Sequence, residues 1–113
     1  MPPRTLEVLR RSELVREIIS VDFDAVGDSY SLKIRVRLRN NWLMDVWEHV
    51  TSGLRRYSYH VFHRNRVIVR WDNAPHFPTV KTFPHHKHIR RNIEESKEMT
   101  VELALEEIRK MMK

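Results

Sequence analysis

The chain has 113 residues, 21 Lys and Arg against 15 Asp and Glu, a formal net charge of +6, a pI near 10.1 and no cysteine. That length suits one domain (1–113) with a single core, the missing thiols exclude disulfides and thiolate metal sites, and the basic balance favours an anionic partner, of which nucleic acid is the commonest. No apolar run reaches the roughly 20 residues that cross a bilayer, and the start lacks the apolar core of a signal peptide, so a soluble, cytoplasmic protein with no membrane partner is expected.

Glutamine is absent, there are only two glycines, and charged residues make up 32% of the chain, a mixture that fits a hot environment and a thermophile source. Residues 1–11 read as a short helix. Pro2 and Pro3 can precede it, Thr5 can help cap it, and Leu6 and Leu9 share a side at i, i+3 spacing. Residues 14–24 alternate as a strand, with Val15, Glu17, Ile19, Val21 and Phe23 on one parity and Ile18 as the exception. Gly27 and Asp28 then mark a turn.

Residues 31–39 give the clearest strand. Leu32, Ile34, Val36 and Leu38 alternate with Lys33, Arg35, Arg37 and Arg39, so one face is buried and the other carries four cations. Asn40 and Asn41 supply the positive-φ residues of a tight hairpin. The next strand, 42–51, sets Trp42, Met44, Val46, Glu48 and Val50 against Leu43, Asp45, Trp47 and His49; apolar residues on both sides suggest partial cover on both faces. After a turn at 51–53, a strand over 54–63 sets Tyr57, Tyr59 and Val61 against Arg56, Ser58, His60 and Phe62. Arg64 and Asn65 turn the chain into a strand over 66–72, with Val67, Val69 and Trp71 opposite Arg66, Ile68, Arg70 and Asp72.

Residues 73–88 follow as an ordered loop. Pro75, Pro78 and Pro84 oppose a helix or central strand, whereas Phe77, Val80 and Phe83 oppose a floppy linker. His76, His85, His86 and His88, four of the seven histidines, fall here. Residues 89–99 are polar, with room for a short edge strand around 91–94. Thr100 can cap a helix over 100–112 whose Val101, Leu105, Ile108 and Met112 form a stripe, with Glu102 near its start and Arg109, Lys110 and Lys113 near its end. The fold class expected is α+β: an antiparallel meander sheet of about five strands over 14–72, with a short N-terminal helix and a C-terminal helix.

Tyr57-Ser58-Tyr59-His60, the run from Arg70 to His76 and the run from Thr82 to His88, together with the strand bearing Glu48, resemble the signature of the TumE family of small prokaryotic toxins. The resemblance covers residues 28–110. It implies the toxin half of a toxin–antitoxin pair, neutralised by a small protein antitoxin encoded beside it. Where relatives typically read His-His after the Ala-Pro, this chain has His76-Phe77. RelE-like and barnase-like ribonucleases, with a short helical start and an antiparallel sheet, offer an analogy at the level of fold alone.

Metal-free RNA cleavage needs a base for the 2′-OH proton, an acid for the leaving oxygen and a cation for the phosphorane. The candidates are His60 or the loop histidines His76, His85, His86 and His88 for proton transfer, Arg70 and Lys87 for the phosphate, and Asp72 to orient an imidazole. On the strand parities, His60 and Arg70 meet across the Arg64-Asn65 turn. Lys33, Arg35, Arg37 and Arg39, about 6.6 to 6.8 Å apart along a strand, can track an RNA backbone, though a solvated sheet face explains them as well. Trp47, Tyr57, Tyr59 and Trp71 read first as core, and Tyr59 is the aromatic kept as a base-stacking candidate. No cofactor is required by this reading. A divalent metal on His76, His86, His88 and Asp72, joined by Glu48, is the competing one. A purely structural loop on a protein that only binds its antitoxin or RNA is the third, and a homodimer is left open.

Overall fold

The computed structural model describes residues 4–112. Two helices and seven strands follow in the order α1 (Arg4–Arg11), β1 (Val15–Val26), β2 (Ser29–Leu38), β3 (Leu43–Thr51), β4 (Leu54–His63), β5 (Arg66–Asp72), β6 (His86–Ile89), β7 (Asn92–Glu95) and α2 (Val101–Met111). Every strand pairs antiparallel with its neighbour in sequence, giving one open sheet in the order β1 to β7. The α+β meander expected from the sequence is therefore present, with seven strands in place of five. The two extra strands are short, and β6 uses the last part of the segment read as loop, His86 onwards, to continue the sheet beyond Asp72.

Tight turns set this register. Arg64 and Asn65 both take positive φ (52° and 64°), the left-handed pair that joins β4 to β5 in two residues, and Asn40 and Asn41 (64° and 61°) turn the chain between β2 and β3. The latter connection begins with Arg39, which leaves the strand for a short helical turn, so Arg39 is not the fourth cation of the β2 stripe.

Bulges correct two of the parities. In β1 the register shifts between Val15 and Glu17 and again between Ile18 and Ser20. Val15, Ile18, Val21 and Phe23 consequently stand opposite Leu38, Val36, Ile34 and Leu32, which are buried, whereas Glu17 stands opposite Arg37 on the polar face. Ile18, the exception to alternation, is thus a core-face residue. A shift in β5 pairs Val67 with Phe62 and leaves Ile68 packed against the core.

Both helices lie on one face of the sheet. Leu6, Leu9, Val101, Ala104, Leu105 and Ile108 join Leu32, Ile34, Val36, Met44, Val46, Tyr57, Tyr59, Val61 and Trp71 in a single core. The shortest extent of the molecule, 21 Å, is that of a sheet with one helical layer. The opposite face has no helix over it. Trp47, expected to be covered, is accordingly 37% exposed.

A buried carboxylate fastens the layers. Glu48, on β3 and 4% exposed, accepts hydrogen bonds from Thr5 Oγ1 of α1 at 2.5 Å and from the Tyr59 hydroxyl of β4. Arg55 donates to Tyr59 Oη, reaches Glu48 Oε2 at 3.5 Å and donates to the Met99 carbonyl at 2.8 Å, just ahead of α2. Thr5 lies inside α1 and serves this contact instead of capping the helix. Thr100 does cap α2, its hydroxyl accepting from Leu103 N at 3.2 Å. Pro2, Pro3 and Lys113 lie outside the described residues.

Removing the Glu48 side chain strands Arg55 and two hydroxyls. Glu48→Ala is expected to lower unfolding free energy by about 3 kcal/mol and Glu48→Gln by less, read from urea denaturation midpoints at constant m-value. Equal midpoints for wild type and Glu48→Ala would show that the carboxylate fastens nothing.

Candidate active site

Cα pairing across the sheet places two rows of side chains on its uncovered face. One runs Ser20, Arg35, Asp45, His60, Arg70, His88 from β1 to β6, and the next runs Asp22, Lys33, Trp47, Ser58, Asp72, His86. The expected meeting of His60 and Arg70 is thus a register pair, and β6 adds His88 on the far side of Arg70. These two rows bring together His60, Arg70, Asp72, His86 and His88.

Asp72 is the hub. Its Oδ1 accepts from Ala74 N at 3.1 Å and lies 2.9 Å from His86 Nε2; its Oδ2 accepts from Arg70 Nε at 3.0 Å and lies 3.4 Å from His88 Nε2. His86, 2% exposed, also sets its Nδ1 3.0 Å from the Pro84 carbonyl, which can only accept, so that nitrogen carries a hydrogen. The Nε2 contact with Asp72 is then a hydrogen bond when the ring is doubly protonated. His88 reaches the same tautomer from its other nitrogen. Arg70 Nη2 lies 2.9 Å from His88 Nε2 and can only donate, so that nitrogen is bare and the ring is neutral with its hydrogen on Nδ1. Burial, with the adjacent Arg70 charge, lowers the His88 pKa below the ordinary imidazole value, and Asp72 offsets part of that.

His60 is lowered as well, first by burial and then by Arg70. Its Nε2 is shielded from solvent and has no hydrogen-bond partner among the described residues. A polar atom left so costs about 1–3 kcal/mol, an arrangement more at home where a ligand supplies the missing partner. His60 also lines a cavity of about 350 Å³ on this face, with Lys33, Arg35, Asp45, Trp47 and Ser58.

Other sequence candidates fall elsewhere. Tyr59 is fully buried on the helix-bearing face, where burial and Glu48 raise its pKa, so it offers no surface to a base. Glu48 shares that face and cannot join the histidines. Lys87 pairs in register with Trp71, also away from the open face. His85 stacks on Tyr57 with ring centroids 5.9 Å apart and hydrogen-bonds its hydroxyl at 2.8 Å, and the same oxygen accepts from Met99 N. It is tied to the helix side. His76 is exposed, and its neighbour Phe77 takes the position against the cluster, edge-on to His86 at 4.9 Å and to His88 at 5.7 Å. Asn73 acts as backbone: its side chain accepts from Tyr57 N at 2.9 Å and donates to Arg55 O at 2.8 Å, extending the pairing of β5 with β4.

The cationic stripe is partly neutralised. Arg35 makes a two-pronged contact with Asp45 at 2.7 and 2.9 Å, and Arg37 pairs with Glu17, whereas Lys33 forms no ion pair among the described residues. As to metal, the ligand atoms of Asp72, His86 and His88 lie within 4.8 Å of one another, a three-ligand set with His86 oriented by a carbonyl behind it. The Arg70 guanidinium, bonded to two of the three, competes with a cation there.

The family model for toxin TumE matches residues 5–113, nearly the whole chain, and the chain belongs to the TumE toxin family. Membership implies an antitoxin as partner. No curated protein and no solved structure matches the chain. No helix among the described residues is long and apolar enough to cross a membrane.

Asp72→Asn keeps the size of the side chain but removes the charge shared by Arg70 and His86. It is expected to lower stability by about 2 kcal/mol, measured by urea denaturation, with the imidazole resonances of His86 and His88 moving in NMR spectra. Unmoved resonances would exclude Asp72 as the hub.

Proposed function

We propose that this toxin acts on RNA by cleaving its phosphodiester backbone on the open face of the sheet, without a required metal ion. The observation that carries the reading is the His60, Arg70, His88 row, in which one guanidinium, fixed by Asp72, stands between two imidazoles of lowered pKa. The His60 imidazole takes the 2′-OH proton as the 2′ oxygen bonds to phosphorus. Arg70 stabilises the charge gathered on the phosphorane oxygens. The P–O5′ bond then breaks, and the departing oxygen is protonated from solvent at this uncovered face. Asp72, with His86 behind it, positions Arg70 and does not exchange protons with substrate.

Purified protein incubated with total cellular RNA and EDTA is expected to cleave it, and His60→Ala is expected to lose at least about 100-fold in rate while keeping its fold. Because His60 is lowered below 6.5, it stays neutral at pH 7 and gains its proton only in more acid solution. The rate therefore falls on the acid side through a midpoint below 6.5, and an acid limb above that value would remove His60 as the base.

The convergence of Asp72, His86 and His88 favours a second reading, in which a divalent ion displaces Arg70 and supplies the Lewis acid. Cleavage abolished by EDTA and restored by zinc or manganese is its signature. No cleavage under either condition removes the nuclease and leaves a toxin that acts by binding.

A further inference from the structure

A large aromatic on an open, basic sheet face is not needed for the core. Trp47 occupies such a position, 37% exposed, at the wall of the 350 Å³ cavity that also holds His60. Its indole lies parallel to the His49 ring, 7° between planes and 6.2 Å between centroids, and His49 is held in turn by Ser31 Oγ at 2.7 Å from its Nδ1. His49 does not line the cavity, so Trp47 is braced on one side and turned to the cavity on the other. Lys33 and Ser58 are its register partners on β2 and β4. Lys33 is the cation of the stripe that makes no ion pair among the described residues, even with Asp22 as its own register partner on β1, and Asp45, the cavity's carboxylate, is engaged by Arg35. Stacking surface, cation and hydroxyl thus line one cavity with His60.

We infer that this cavity is a nucleobase site for single-stranded RNA, in which an unpaired base stacks on Trp47 and the adjoining phosphate rests on Lys33. The inference rests on the RNA-cleavage reading and names its substrate class. A duplex keeps its base faces against one another and has none to offer the indole, so an unpaired strand is selected. Recognition through a stacking face tolerates every base, and the cavity's two hydroxyls, on Ser20 and Ser58, stand beside that face. The site also accounts for the place of His60: a base seated against Trp47 on β3 brings the backbone beside it to β4, where His60 faces Arg70.

The test uses a fluorescently labelled ten-nucleotide RNA with every 2′-OH methylated. That strand binds but cannot be cleaved by 2′ attack, so binding is read whether or not the protein is a nuclease. Trp47→Ala is expected to raise Kd about five- to 150-fold and Trp47→Phe by much less, both with unchanged melting temperatures. Replacing central bases by abasic units should weaken wild type by a similar factor and Trp47→Ala hardly further. Lys33→Ala should reduce the slope of log K against log salt by about 0.7. Duplex RNA binding as tightly as the single strand, or abasic and complete strands binding alike, would overturn the site in favour of a merely electrostatic surface. Unchanged RNA affinity in Trp47→Ala, with weakened association of the antitoxin, would reassign the indole to protein docking and likewise overturn it.

Discussion

The molecule depends on where a single buried charge is satisfied. Glu48 sits in the middle of the sheet, and the groups that neutralise and hydrogen-bond it come from α1, β4 and, through Arg55, the segment entering α2. A carboxylate in a low-dielectric interior tolerates few arrangements, so it selects the one in which both helices lie over the same face. Tyr59 is held neutral by burial and the same carboxylate, while Arg55 keeps its charge against burial because Tyr59 and Glu48 favour it. The consequence is asymmetric: all helical cover goes to one side, and the other side of a seven-stranded sheet is left to water and ligands.

That bare face has its own hub of opposite purpose. Asp72 does not fasten layers. It holds one oxygen against His86, which is braced by Pro84, and the other against Arg70, which reaches His88. Both histidines that flank the carboxylate bear a hydrogen on Nδ1, His86 because that nitrogen meets the Pro84 carbonyl and His88 because its other nitrogen meets the Arg70 guanidinium. Phe77 lies edge-on to both rings and limits solvent there. A rigid carboxylate with fixed partners on each side is what positions Arg70 in register with His60 across the hairpin.

Much of this was legible in the sequence, and for identifiable reasons. Strict alternation in 31–39 and 54–63 and the Arg64-Asn65 pair suffice to set β2, β4 and β5 and to bring His60 opposite Arg70, since side-chain period and turn type together determine register. Where a residue was added, parity failed: the bulges in β1 and β5 moved Glu17, Ile18, Val67 and Ile68 to the other face, and no local signal marks a bulge without glycine. Strand β6 was hidden because four residues carry too little pattern, whereas the edge strand read around 91–94 is β7. The site was half visible. Histidine spacing in the loop says nothing about which rings meet, so His85 and Lys87 were grouped with His86 and His88 although strand alternation, once β6 is known, sends them to the other side. Tyr59 and Trp47 both read first as core for the same reason: both are aromatics on alternating strands, and only the helix layer decides that Tyr59 is covered and Trp47 exposed.

The unbroken meander carries a consequence for how the toxin comes into being. Each strand pairs with the one just made, with no crossover awaiting later sequence, so during synthesis the sheet can grow in the order in which it is translated. His60, Arg70 and Asp72 are in place by β5, but His86 and His88 arrive only with β6, and the Arg55 anchor at Met99 later still. A nascent chain halted before His86 holds five of the seven strands with His60, Arg70 and Asp72, and lacks the two histidines that meet at Asp72. The partners of Asp72 on β6 are therefore supplied after the long strands are made, and the anchor that ties the entry of α2 to the sheet only after them.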